Sequence, residues 1–271
     1  MIIPEIGTPK WSYEDFRSAY PDFRELYGNR PISNNDGGMG APHVFATWFM
    51  LKKIQPNLVI ESGVWKGQGT WIIEQACPNA NVICIDPNLN RLEYRSGKAN
   101  YFTEDFSIID FSQIDKANSV CFFDDHQNAL ERLRQMKWKG FSTAIFEDNY
   151  PVKHGDTYSL KKVFSESGFK KQKQVKKYSN SYLKRLMGIK KCVVETKECI
   201  PPNAAHRAEL LHNLEIYYEF PPLFRSETTR WGDQWDDQSY ATKPAIFDHS
   251  EADSLFKEAK YYNWIALTKL R

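Results

Sequence analysis

The sequence predicts a doubly wound α/β fold whose sheet is mostly parallel, with late strands forming an antiparallel edge. Three observations carry this. Between about residues 57 and 150, apolar runs of roughly four to eight residues alternate with segments whose apolar residues recur at helical spacing. The strand-like runs are apolar almost throughout, as in a parallel sheet covered on both faces. Each run ends in acid: Glu61, Asp86, Asp105, Asp124 with Asp125, and Glu147 with Asp148. In an open sheet of this kind a ligand lies at the carboxyl ends of the strands. Acids gathered on one edge cost free energy unless a cation or a hydroxyl-rich ligand balances them.

Taken in order, NLVIESG reads as a strand and GTWIIEQAC as the helix behind it. NVICIDPN is the second strand, and NYFTEDF (100–106) the third after the irregular EYRSGKA. IIDFSQIDKA (108–117) reads as a short helix, SVCFFDD as the fourth strand, QNALERLRQMKWKG as a helix stopped by glycine, and FSTAIFEDN as the fifth strand. Ahead of the sheet, residues 1–56 read as a helical cap. It includes a polar lid loop, NNDGGMGAPH, and the helix VFATWFMLKKI. Behind the sheet SLKKVFSESGF reads as a helix. LEIYYEFPPLF and YYNWIALTKLR read as the two late strands, with SEADSLFKEAK a helix before the last. The main domain thus spans 57–271, with an insertion at about 170–210 and a lid-like segment at about 221–245.

With 271 residues, 41% hydrophobic, 26% charged and a net charge of +2, the composition suits a globular chain and excludes a general pull toward nucleic acid or membrane. No apolar run is long enough to span a bilayer, and MIIPEIGTPKWSYEDF does not read as a signal peptide. The five cysteines, Cys77, Cys84, Cys121, Cys192 and Cys199, show no C-x-x-C spacing, so a reduced cytoplasmic protein without structural zinc is expected. Charge is local instead. Residues 161–191 hold eleven Lys or Arg against one acid, Glu166, with only Phe169 and Tyr178 as aromatics in the most basic part. That segment reads either as a solvated insertion or as a nucleic-acid arm.

The turn after the first strand, ESGVWKGQGTW, holds the chemistry. Its glycines fall at Gly63, Gly67 and Gly69, not in the G-x-G-x-x-G order of a dinucleotide site, and Glu61 just before them would repel a pyrophosphate. A Walker loop is excluded because Ser/Thr does not follow Lys66. The pattern E-x-G-x-x-x-G, with the next strand ending in acid, resembles the class I S-adenosylmethionine-dependent methyltransferases and their Rossmann-like sheet. The resemblance implies that Glu61, Gly63 and Gly67 meet the methionine part of the cofactor, with Thr70 opening the helix beside them. It implies that Asp86 takes the ribose hydroxyls, and that Asp105 and Phe106 meet adenine.

The second constellation is the pair CFFDDH and AIFEDN, which sets carboxylates, an imidazole and an amide at neighbouring strand ends. Oxygen-rich groups of this kind suit Mg²⁺ or another hard divalent cation. One of Asp124 and Asp125 could equally cap the following helix. The residues are similar to two metal-dependent branches of the same superfamily. The catechol O-methyltransferase-like enzymes match at Asp124, Asp148 and Asn149. The cephalosporin hydroxylase and sugar O-methyltransferase group matches at Asp125, His126, Glu147 and Asp148. The resemblance covers roughly residues 35–165, and Trp65 and Lys66 depart from the paired glycines and serine usual in that turn.

The resemblance implies Mg²⁺-assisted O-methylation of a small hydroxylated substrate such as a sugar, polyol or natural product, with Asp125 and His126 as catalytic groups and His126 as base. Trp231, Trp235 and Arg225 in the lid-like segment suit a sugar, or serve packing. Two alternatives stand beside this reading. One is RNA methylation through the basic insertion, and the other is a binding protein that keeps the cofactor fold without turnover. An oligomer is compatible with all three.

Overall fold

The computed structural model describes residues 6–170, 199–235, 243–248, 253, 255, 257–258, 262 and 264–271. The segment 171–198, with most of the basic insertion and Cys192, lies outside them, as does most of the helix expected over SEADSLFKEAK.

Helix α1 (Tyr13–Gly28) starts at a capping box, in which the Ser12 hydroxyl accepts from Asp15 N–H and the Asp15 carboxylate accepts from Ser12 N–H. Helix α2 (Ala41–Ile54) begins after Gly40 with a proline in its first turn and ends on Lys52 and Lys53, which suit the negative end of the helix dipole. Residues Ala41 through Leu51 are all buried, so α2 is a core helix leading straight into the sheet.

Strands β1 (Leu58–Ser62), β2 (Asn81–Ile85), β3 (Asn100–Phe102), β4 (Ser119–Phe123) and β5 (Thr143–Phe146) are parallel. Helix α3 (Gln68–Ala76) joins β1 to β2, and α4 (Ala129–Trp138) joins β4 to β5. Beyond β5 lie α5 (Leu160–Phe164), a two-stranded ribbon of β6 (Phe169–Lys170) with β7 (Cys199–Ile200), α6 (Ala204–Asn213), β8 (Leu214–Glu219) and β9 (Ala266–Leu270).

The main sheet runs β3-β2-β1-β4-β5-β9-β8, with β9 antiparallel to both neighbours, which gives the antiparallel edge expected of the late strands. The order reverses direction between β1 and β4. Register pairs Ile60 with Ile83 on one side and with Cys121 on the other, so the carboxyl ends of β1, β2 and β4 open at one level. Successive residues alternate between the two faces. Val59, Phe122 and Ile145 join the core under α1, α2 and α3, while Ile60, Phe123 and Phe146 join the core under α4 and α5.

Four sequence expectations change. Residues 108–117 form a chain of turns, not a helix. Asp105, Asp110 and Asp115 each accept a backbone N–H two residues on, a local bond that competes with helix. The third strand stops at Phe102, short of Asp105. The helix behind the sheet is only Leu160–Phe164, and Gly168 turns at φ +66°. Lys161 and Lys162, part of the basic run, are buried. Lys161 Nζ pairs with Glu219 Oε2 at 2.5 Å, and Lys162 Nζ donates to Thr157 O at 2.6 Å.

Candidate functional site

A cavity of about 260 Å³ opens at the β1/β4 switch point, the place where such sheets take ligands. Its walls include Gly63, Asp86, Asp105, Asp124, Asp125, His126 and Arg132, with Gly37, Gly38 and Trp65 on the side of the N-terminal loop.

The turn from β1 to α3 needs its glycines for close approach. Gly63 lies at φ +95°, where a Cβ would run into the carbonyl oxygen of Asp124, and Gly67 lies at φ +97° against the carbonyl oxygen of Tyr94. The Val64 and Trp65 N–H groups both donate to Asp86 Oδ2, at 2.9 and 3.0 Å, while Asn88 N–H donates to Oδ1 at 2.8 Å. Asp86 therefore fixes the turn from the next strand and also lines the cavity. Glu61 lies beneath the turn, fully buried. Its Oε2 accepts from the Thr70 hydroxyl at 2.5 Å and the Cys84 thiol at 3.3 Å, and its Oε1 has no hydrogen-bond partner. Thr70 is likewise buried, spent on Glu61.

Trp65 and Lys66 tie this turn to the N-terminal loop. Trp65 Nε1 donates to Asp36 O at 3.1 Å, its ring packs against Gly37, and Arg91 lies 4.5 Å above it. Lys66 Nζ donates to Asn34 O at 2.6 Å and pairs with Glu93 at 2.7 Å. Trp65 takes φ +50°, a left-handed conformation uncommon for a bulky residue.

At the β4 and β5 ends, Asp124, His126 and Asp148 converge, with one donor atom from each within 4.8 Å of the others. The His126 N–H donates to Asp148 Oδ2 at 3.0 Å, and His126 Nδ1 lies 2.9 Å from Asp156 Oδ1. That Asp156 bond outweighs burial and, with Asp148 nearby, pushes the His126 pKa up to about 9. Burial and the repulsion of Glu147 push Asp148 up to about 8, and its Oδ1 is buried with no hydrogen-bond partner. Asp124 is pushed well up by burial, then by Glu147 and Asp148. Glu147 is different. Burial opposes its charge, but His43 of α2, with Nδ1 at 2.5 Å from Oε1, holds its carboxyl below the usual range. Asp124 and Asp148, both raised first by burial and then by Glu147, with an Asp148 oxygen that lacks a hydrogen-bond partner, form an oxygen donor pair that fits a hard divalent cation.

Of the residues expected to bind metal, Asp124 and Asp148 come together, Glu147 sits beside them on His43, and two point elsewhere. Asp125 accepts from the Ser62 hydroxyl at 2.7 Å and from Arg132 Nε at 2.9 Å. Asn149 donates to Tyr217 Oη at 2.9 Å and accepts from Lys161 N–H at 3.0 Å. Asp105 lines the cavity but is held by Arg132, whose bonds keep its carboxyl well below the usual range. Phe106 lies behind the wall, fully buried between Phe111 and Phe123.

The lid-like segment seats on the loop after β5. The Trp231 ring stacks on His154 at 4.1 Å and on Trp264 at 5.5 Å, and Trp235 stacks on Trp264 at 6.0 Å. Both tryptophans pack on Trp264, Trp235 buried and Trp231 half-buried. Asp156, His43, Ser62 and Arg132 are site residues that sequence reasoning did not single out. Arg132 carried a signal, a charge among Ala129, Leu130, Leu133 and Met136 on the buried face of α4.

No protein-family model and no curated protein matches the chain. Among solved structures it is similar to a methyltransferase of Podospora anserina with S-adenosylhomocysteine bound. That match has 12% identity and a TM-score of 0.37, covering 54% of this chain and 73% of that one. It is also similar to a Streptomyces achromogenes O-methyltransferase of tomaymycin synthesis in complex with S-adenosylmethionine, at 11% identity, TM-score 0.38, and 53% and 67% coverage. A methyltransferase of Geobacter sulfurreducens gives 16% identity, TM-score 0.33, and 52% and 73% coverage.

Proposed function

We propose that this protein is an S-adenosylmethionine-dependent, divalent-cation-assisted O-methyltransferase acting on a small hydroxylated molecule. One observation carries the reading. A single cavity is lined by Gly63 and Asp86 on one side and by the acid–imidazole group of Asp124 and His126 on the other. The first set suits a nucleoside whose ribose hydroxyls donate to a carboxylate. The second suits a cation that needs oxygen donors.

Asp124 and Asp148 would hold the cation, which when bound would lower the pKa of a substrate hydroxyl. Asp156 orients the His126 ring and favours its charged form, and Glu147, fixed by His43, adds negative potential beneath the site. Because the sulfonium methyl is already activated, the chain's own contribution is position. The glycine turn lets the ligand approach the backbone closely, while the loop at Gly37 and Gly38 excludes water from one side.

Calorimetric titration with S-adenosylmethionine and S-adenosylhomocysteine, each with and without Mg²⁺, tests the reading. Binding of both nucleosides, with a separate Mg²⁺ signal, is expected. Absence of binding by either nucleoside would overturn it, and cofactor binding without any Mg²⁺ signal would leave a binding protein in its place.

A further inference from the structure

We propose that the face around Ile108 and Trp138 is a twofold interface, occupied by a second copy of this chain. Trp138 is 83% exposed and Ile108 71%, the two most exposed large apolar side chains among the described residues. Local structure accounts for both. Helix α4 buries Ala129, Leu130, Leu133 and Met136, and Trp138 lies about 200° round the helix from Met136, off the buried stripe. Ile108 stands on the turns after β3, where its N–H donates to Asp105 O at 3.0 Å. An exposed indole is among the side chains that most often carry the energy of a protein interface.

The face is self-complementary in shape. Ile108, Ile109, Asp110 and Phe111 form a ridge with a groove on each side. One groove, about 360 Å³, runs from the ridge to Trp138. The other, about 280 Å³, has an apolar floor of Ile83, Phe102 and Ile114 beside β3, the outermost strand of the sheet. A knob and a hole thus lie on opposite sides of one ridge. A twofold axis through the ridge carries the Trp138 of each copy into the hole of the other, and sets Ile108 against Ile108.

Charge agrees with this pairing. Lys116 and Lys139 rim the knob side, and Glu104 rims the hole side. The same rotation lays lysine over glutamate, twice. Asp110, on the ridge itself, is turned back on Ser112, whose N–H and hydroxyl donate to it at 2.8 and 3.0 Å. An anionic bilayer or a nucleic acid would call for basic charge throughout, which this face lacks. Two buried indoles withdraw roughly 300–500 Å² from water, a quarter or more of the roughly 1,200 Å² at the lower end of specific interfaces. That suits a dimer with a dissociation constant on the order of micromolar.

Sedimentation velocity of the full chain from about 1 to about 100 µM tests the proposal. Wild type should pass from monomer to dimer across that range and go no further. Trp138→Ser and Ile108→Asp should each weaken the dimer about a hundredfold, because every substitution acts twice across the axis. Their circular dichroism should match wild type, since both side chains are already exposed. Lys116→Glu and Glu104→Lys should each weaken the dimer about tenfold, and an equimolar mixture of the two should recover it, because the mixed dimer restores both opposite-charge contacts. A chain that stays monomeric at the highest concentration would overturn the proposal, as would open-ended association. So would a dimer indifferent to both Trp138→Ser and Ile108→Asp, or a mixture no more dimeric than its components. A monomeric wild type that binds phosphatidylserine vesicles, and loses them on Trp138→Ser, would also overturn it and give the face to a membrane.

Discussion

Glu61→Gln isolates a carboxyl that the fold compels to keep its proton. Burial pushes the Glu61 pKa from 4.5 to about 8, and the bonds from Thr70 and Cys84 draw it only part of the way back. A carboxyl with a raised folded-state pKa adds stability below its unfolded pKa and loses that stability as pH rises toward the folded value. For Glu61 the loss runs from about pH 4.5 to about pH 8. At about 1.4 kcal/mol per unit, the wild type loses on the order of 4–5 kcal/mol from this group across that window. The glutamine variant does not ionise, so it escapes the loss. Its amide N–H₂ faces Gly69, where no acceptor waits, at a cost of about 1–3 kcal/mol at every pH. The two stability curves should therefore cross, with the variant less stable at pH 5 and more stable by about 2 kcal/mol at pH 8. Urea unfolding of both proteins between pH 5 and pH 9 measures this. Parallel curves, with the variant below wild type throughout, would refute the claim that Glu61 is buried as an acid.

Four further outcomes are expected. Gly63→Ala should cost about 2 kcal/mol or more in thermal or urea unfolding, because φ +95° and the Asp124 carbonyl both oppose a side chain. Asp148→Ala should abolish divalent-cation-dependent methyl transfer while S-adenosylhomocysteine affinity stays within a few-fold, as read by activity and calorimetry. Lys161→Met should destabilise by about 3–5 kcal/mol, since the buried Glu219 carboxylate loses its cation and keeps the neutral Tyr217 hydroxyl, whereas Lys161→Met with Glu219→Leu should recover most of that. Trp65→Ala with Lys66→Ala should raise hydrogen exchange of residues 33–40 by tenfold or more, as the bonds to Asp36 O and Asn34 O disappear, with little change in β1.

Much of this molecule is legible in its sequence. The runs LVIES, NVICI, SVCFF and TAIF announce strands because burial on both faces leaves no room for polar alternation. The glycines of the turn announce themselves because a Cβ at Gly63 or Gly67 meets a carbonyl. The short loop 108–117 misled because its apolar residues recur at helical spacing, while its aspartates offer the backbone a nearer acceptor. Lys161 and Lys162 misled because composition cannot tell a solvated lysine from one buried against Glu219 or Thr157 O.

By itself the sequence determined that acids would gather at the carboxyl edge of a doubly wound sheet, because periods of 2 and 3.6 residues are local properties of the chain. Only the tertiary structure decided what each acid does. Asp105 and Asp125 share Arg132, Asn149 turns to Tyr217, Glu147 goes to His43, and Asp124 and Asp148 are left facing His126. Those pairings join residues as much as 104 positions apart, Glu147 with His43 among them. They are settled by which side chains the packed helices bring across the sheet edge, where an unpaired buried charge costs too much to leave unanswered.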